Sequence, residues 1–276
     1  MGKKIAKIYI EGTIEKKNAN YNQEWLLKTI KSITDSKKYA AILVYINTPG
    51  GSVYESDEVY LALKKFQEKT KHPVYAYFAS LAASGGYYIG CSAKKIFASR
   101  NTLTGSIGVI SGRFVDLTEL MKKYGIKSET IHAGKNKIMG SVTVSPTKEQ
   151  KSIMQAIADE CYEQFTSLVV ENRRLPIEDV KKIADGRIYT AKQAKELGLI
   201  DEIASLDACL ESINQELFNK KDFKAPVKDF KYKKKQTSLI GLLKGADANA
   251  NILNKISDEL LGKSVSFPAF YWDGQF

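Results

Sequence analysis

The chain has 276 residues, 43% of them apolar, and a formal net charge of +11 at pH 7. That length and apolar share support one large domain with a buried core and exclude a disordered chain. No run of about 18 apolar residues marks a membrane-spanning helix, and 1-MGKKIAKIYIEGTIE-15 runs directly into an alternating pattern without the apolar stretch of a secretory leader. The location expected from this is the cytoplasm or a membrane surface.

In chain order, 5-IAKIYIEGTI-14 alternates as a strand does, and Trp25, Leu26, Ile30 and Ile33 fall at helical spacing within 22–38. The continuous apolar run 40-AAILVYIN-47 predicts a strand buried on both faces, stopped by the turn 48-TPGG-51. A helix over 57–69, a break at His72-Pro73 and a strand at 73-PVYAYFAS-80 repeat the cycle. Further strands are expected at 94–99, 106–111 and 126–133, with helices at 115–124, from Pro146 to about Asn172, after Pro176, within 189–200 and near 206–218. Alternating strands and helices give the α/β class with a parallel sheet.

The composition shifts after residue 218. The run 220-KKDFKAPVKDFKYKKK-235 holds eight lysines against two aspartates, so +6 of the net charge lies in sixteen residues and the body is only mildly basic. The expected division is therefore an α/β domain over 1–218 and a tail over 219–276, made of a Lys-rich linker, a helix at 251–262 and the aromatic end 264-SVSFPAFYWDGQF-276. A solvated linker is the plainer account of the lysines, and attraction to an anionic membrane surface the functional one. No nucleic-acid motif accompanies them, so no nucleic-acid partner is expected. Cys91, Cys161 and Cys209 are odd in number and far apart, which argues against a disulfide framework or a zinc site and for structural thiols.

Three stretches carry candidate chemistry. In 47-NTPGGSV-53, Gly50 and Gly51 let backbone amides approach a reacting carbon, although Pro-Gly-Gly is also an ordinary turn. In 78-FASLAASGGYYIG-90, Ser84 stands between small residues at a helix start after a strand, where it is either a helix cap or a nucleophile whose anion the helix favours. A serine nucleophile needs a base. Neither His72 nor His132 lies in a triad context; the alternative base is a lysine whose pKa burial depresses, and 134-GKNKIMGS-141 offers Lys135 and Lys137.

Taken together, INTPGGS, AASGGYYIG, NTLTGSIGV, GKNKIMGS and 185-DGRIYTAKQAKELGLIDE-202 resemble, in order and approximate spacing, the signal peptide peptidase A family of Ser–Lys serine peptidases in its short bacterial form. The resemblance covers about residues 5–218. It implies the Clp/crotonase-like β-β-α superfold, with Ser84 as nucleophile, Lys137 as general base, Gly51 as the oxyanion-hole amide and Ser106 as the hydroxyl that orients the lysine. Ile138 stands where the family writes an acidic residue, and Lys135 lies two positions before Lys137. The implied activity is endopeptidase cleavage of hydrophobic unfolded peptides, such as cleaved signal peptides, without metal or cofactor.

Members of this length resemble half of a duplicated long form, so a homo-oligomer is implied, with substrate grooves near subunit contacts. The tail segment 267-FPAFYW-272 is itself an apolar extended peptide that fits a substrate groove, in its own chain or a neighbour. The competing functions are a capsid-maturation peptidase of the same family, an acyl-CoA enzyme of the crotonase kind and a non-catalytic scaffold on membranes.

Overall fold

A computed structural model describes residues 3–219 and 224–233 and the backbone of 269–271. The chain runs from β1 (Lys4–Glu11) to α1 (Gln23–Thr34), β2 (Tyr39–Thr48), a three-residue β3 (Gly50–Ser52) and α2 (Val53–Thr70). Next come β4 (Val74–Ala83), α3 (Gly85–Gly90), β5 (Lys95–Ala98), β6 (Leu103–Gly105), α4 (Thr118–Lys123) and α5 (Lys148–Arg173). It continues with α6 (Ile177–Ile183), β7 (Ile188–Thr190), α7 (Ala191–Glu196), β8 (Glu202–Ile203), α8 (Leu206–Phe218), β9 (Val227–Phe230) and β10 (Ala269–Tyr271).

The local signals explain these elements. The Asn22 side chain accepts the Trp25 N–H at the start of α1, and Leu26, Ile30 and Ile33 bury one stripe of that helix. Thr147 and Gln150 form a reciprocal capping box at the start of α5.

The main sheet has the order β7-β6-β4-β2-β1-β9, with β5 beside the first half of β4 and β8 beside β5. Its pairings are parallel except β6 with β7. Parallel strands covered on both faces explain why β2 reads as an unbroken apolar run. One face carries Ala6, Ile8, Ile10, Ile42, Val44, Ile46 and Phe78 against α1, α2, α3 and α5. The other carries Ile5, Leu43, Tyr75, Tyr77 and Phe97 against Cys209 and Ile213 of α8. Each fully buried aliphatic or aromatic side chain contributes about 1.5–3 kcal/mol relative to exposure. The α/β, β-β-α arrangement is the expected one, with β2, β3 and α2 as its clearest unit.

Four expectations change. Residues 126–133 alternate but form no strand: Ile126 and Ile131 are 58% and 96% exposed, and a period of two makes a strand only where a neighbour supplies the ladder. The strand expected at 106–111 is displaced to β6, because Ser106 turns to positive φ and ends the pairing. Gly50–Ser52 pairs as a strand where a turn was expected. Part of the expected Lys-rich linker is β9, paired in parallel with β1 from Ile5↔Val227 to Ile8↔Phe230, so the sheet extends past residue 218. The expected helix at 251–262 lies outside the described residues.

Candidate active site

β4 delivers Ser84 to one end of the sheet. Its φ of 53° and ψ of −114° are unusual for a non-glycine residue and cost on the order of 1–3 kcal/mol. Two backbone bonds hold it there: the Ser84 N–H donates to the Gly105 carbonyl, and the Tyr88 N–H to the Ser84 carbonyl, each at 2.8 Å. The residue is buried, and its hydroxyl makes no hydrogen bond among the described residues. The arrangement is a strained strand-to-helix turn that presents a side-chain oxygen, the geometry nucleophilic serines use on other α/β sheets.

The residues around Ser84 support that turn. A methyl group on Gly86 would lie 2.6 Å from Thr48 Cγ2, so only glycine lets α3 start against the end of β2. The two tyrosines that follow are anchors: Tyr87 donates to the Leu199 carbonyl at 2.9 Å and Tyr88 to Asp57 Oδ1 at 2.7 Å. Burial, and then the bond to Asp57, push the Tyr88 hydroxyl well above its ordinary pKa, which keeps it a donor.

Gly51 is fixed by a close approach. A Cβ there would stand 1.9 Å from the Ile14 carbonyl oxygen. The neighbours bond to Ile14, with Ile14 N–H donating to Gly50 O and Ser52 N–H to Ile14 O, each at 2.8 Å. Backbone groups alternate sides along a strand, so the Gly51 N–H faces away from Ile14. On that other side lies β10, antiparallel to β3, with Phe270 opposite Gly51 and Tyr271 opposite Gly50. α3, which begins beside Ser84, packs on both β3 and β10.

Ser106 follows the Gly105 carbonyl that holds Ser84. It too has positive φ, 49°, and its N–H donates to the Arg187 carbonyl at 2.8 Å. Ser106 opens onto a cavity of about 520 Å³ whose lining includes Val109, Asp159, Tyr162 and Asp185. Sequence reasoning missed Thr48, whose hydroxyl oxygen accepts the Gly50 N–H at 3.0 Å and shapes the glycine turn, and missed the acidic cavity wall, because α5 and the 184–186 turn are far from Ser106 in sequence.

The structure does not bring Lys137 to Ser84 within the described chain. Lys137 is exposed in the turn 134–141, and no hydrogen bond or ion pair engages its ammonium group among the described residues. Lys135 is exposed too, but pairs with Glu149, which its hydrogen bond holds below the usual carboxylate range. Both lysines belong to a stretch, 112–149, in which no residue is buried despite Leu120, Tyr124, Ile126, Ile131 and Val144. His72 sits before the start of β4, at the opposite end of that strand from Ser84, with Lys3 Nζ 3.0 Å from its ring. His132 is exposed against the Gly134 carbonyl.

The model of peptidase family S49 matches residues 66–219, which span Ser84, Ser106 and both lysines. The chain belongs to peptidase family S49. A Synechocystis sp. relative is 43% identical over 203 residues, covering 74% of this chain and 70% of its own. The chloroplastic serine protease SPPA of Arabidopsis thaliana is 35% identical over 73% of this chain and 29% of its own length. Protease 4 of Salmonella typhi is 32% identical over 75% of this chain and 33% of its own, so the chain spans a third or less of these two longer relatives. The S49 chain is a serine peptidase. Among its described residues no helix is long and apolar enough to cross a membrane.

Proposed function

We propose that this S49 peptidase cleaves extended apolar peptides with Ser84 as nucleophile and Lys137 as base, and that the lysine comes from a second copy of the chain. The observation that carries the reading is a buried, strained Ser84, its hydroxyl without a hydrogen bond among the described residues, at the start of a helix α3 that packs on the strand of Gly51. Lys137 in its neutral form takes the Ser84 proton as the oxygen attacks the peptide carbonyl, while the Gly51 N–H stabilises the oxyanion. The protonated lysine then gives its proton to the leaving amine, and a water repeats the cycle on the acyl-enzyme. Ser106, beside Ser84, orients the lysine.

Three features support a base from a neighbour. The loop of Lys137 is exposed, its whole stretch 112–149 lacks any buried residue, and the cavity at Ser106 leaves room for a side chain from outside. Apolar side chains of the stretch would be covered in a homo-oligomer. The substrate class follows from β3: a short strand whose side away from Ile14 takes an antiparallel backbone can bind an extended chain through its backbone, and only an unfolded peptide reaches a buried Ser84. The backbone of 269–271 lies along that side, which supports the tail as an occupant of the substrate groove.

Mixing inactive variants tests the scheme. Ser84→Ala and Lys137→Ala should each lose at least a thousandfold in cleavage of a fluorogenic apolar peptide, Lys135→Ala should stay within about twofold, and a mixture of the two inactive proteins should regain a substantial fraction of activity. A mixture of exchanged, assembled subunits that stays inactive would place the base within one chain. Full activity of Lys137→Ala would remove the lysine from the mechanism.

A further inference from the structure

The parallel sheet puts the starts of its strands at one end of the molecule, and those starts are lysines. Lys3 precedes β1 and Lys4 opens it, Lys37 and Lys38 precede β2, Lys71 and His72 precede β4, and Lys94 precedes β5. They are neighbours in space: Lys4 N–H donates to Lys38 O at 2.8 Å, Ile42 N–H to Pro73 O at 3.2 Å and Lys94 N–H to Val74 O at 2.8 Å. Lys3 Nζ reaches across to His72. Between them lies a cavity of about 520 Å³ lined in part by Gln67, Lys71, His72, Lys94 and Glu216. Ser84 is at the other end of β4.

The charge at this end is largely uncompensated. Lys94 pairs with Glu216 and Lys69 with Asp35, but Lys3, Lys4, Lys37, Lys38 and Lys71 meet no carboxylate among the described residues. Lysines in the last turns of helices offset the negative end of the helix dipole. That accounts for Lys31 and Lys69, not for Lys3, Lys4, Lys37 and Lys38, which stand outside any last turn. Lys71 holds φ of 60°, where glycine would be less strained, so the side chain is kept at a conformational cost. In the described part of the Lys-rich run near the C-terminus, Lys231 bonds Glu11 and lies over Tyr9, and Lys228 lies over Phe230.

We propose that the strand-start end of the sheet, centred on Lys3, Lys37, Lys38 and Lys71, is a docking face for an anionic phospholipid surface. The face carries no arginine, whose planar fork suits specific phosphate recognition, and none of the exposed large aromatics, Tyr54 and Tyr124, on which bases would stack. Compact, hydrated lysine charges spread over one end instead suit a planar anionic surface, to which each adds a modest, additive attraction. Docked this way, the protein turns its strand ends and Ser84 away from the lipid. This inference stands whether or not the Ser–Lys scheme holds.

Sedimentation of the full chain with phosphatidylcholine vesicles containing about 30% phosphatidylserine, at about 100 mM salt, tests it. Wild type should pellet with these vesicles and stay in solution with phosphatidylcholine alone. The variant Lys3→Gln, Lys37→Gln, Lys38→Gln, Lys71→Gln should bind at least tenfold more weakly. A control with the same charge loss elsewhere, Lys148→Gln, Lys181→Gln, Lys192→Gln, Lys195→Gln, should stay within about twofold of wild type, and all three should share an unfolding temperature and peptidase rate. Equal loss in the control would reduce the effect to net charge and overturn the face. So would wild-type binding by the first variant, no vesicle binding at all, or displacement from vesicles by duplex DNA that needs the same four lysines.

Discussion

The Ser84 N–H donates to the Gly105 carbonyl oxygen at 2.8 Å, and the two serines joined through that bond, Ser84 and the next residue Ser106, hold φ of 53° and 49°. Two strained non-glycine residues at the ends of adjacent strands, each fixed by a backbone bond and each with a hydroxyl unengaged among the described residues, describe an arrangement kept for its side chains. Ser84→Gly should therefore raise stability by about 1 kcal/mol, a gain of roughly 2–4 °C in unfolding temperature, while abolishing peptide cleavage. Calorimetry beside the peptide assay checks both signs. A variant that melts lower than wild type would mean that Ser84 is retained for the fold.

At Gly51 activity and stability fall together. A Gly51→Ala methyl would stand 1.9 Å from Ile14 O, so the Ile14–Gly50 and Ser52–Ile14 bonds must break or the segments part. Two bonds at about 1 kcal/mol each, with the strain, give at least about 3 kcal/mol of destabilisation. Urea unfolding should show it as a lower midpoint at unchanged slope.

How much of this was legible depends on range. Strands β1, β2, β4 and β5 and helices α1, α2, α5 and α8 were readable because each buries a face against neighbours already specified by periodicity. Ser84 and Gly51 stood out because glycine and small residues mark close backbone approach before any partner is known. The strand β9 was hidden in a lysine run: its pairing to β1 is satisfied by backbone, and its side chains are mostly exposed, so composition reported solvent where the ladder decided structure. The false strand at 126–133 is the converse, alternation without a partner. The cavity at Ser106 gathers residues from three distant stretches, and no local pattern encodes such a meeting.

The thiols give a pH prediction. Burial pushes Cys91 and Cys209 each up to about 12, against about 8.5 in an unfolded chain. Between those values the folded state keeps protons that the unfolded state has lost, so stability is fully present below about pH 8.5 and declines as pH rises toward 12. Iodoacetamide at pH 8 should modify Cys161 alone in the native protein, and all three cysteines in denaturant. Mass spectrometry counts the adducts, and rapid native modification of Cys91 would contradict its burial.

Asp201 ties three parts of the fold together. Its carboxylate takes both terminal nitrogens of Arg173, at 3.0 and 2.8 Å, and the Ile96 N–H at 2.7 Å. Arg173 is 7% exposed in its side chain, so Asp201→Ala leaves a buried guanidinium and a strand amide without their acceptor. The expected loss is about 2–4 kcal/mol, moderated because Asp201 itself is a third exposed. Glu24→Ala, which breaks an exposed pair with Lys28, should leave the unfolding midpoint where it is in wild type. Denaturant titration of the two variants side by side measures the contrast.

The backbone of 269–271 lies on the side of β3 away from Ile14, opposite Gly51, where an extended substrate would pair. An occupant tethered to the same chain competes at high effective concentration, so its removal should free the groove. Deleting residues 264–276 should raise the initial rate on a short apolar peptide severalfold, mainly by lowering KM. The free peptide SFPAFYWDGQF should inhibit the deletion variant competitively. If β10 instead serves the fold, the deletion lowers the unfolding temperature, leaves KM unchanged, and the peptide does not inhibit. Steady-state kinetics with a melting curve on the same preparation separates the two, because a substrate-like strand and a structural one move different parameters.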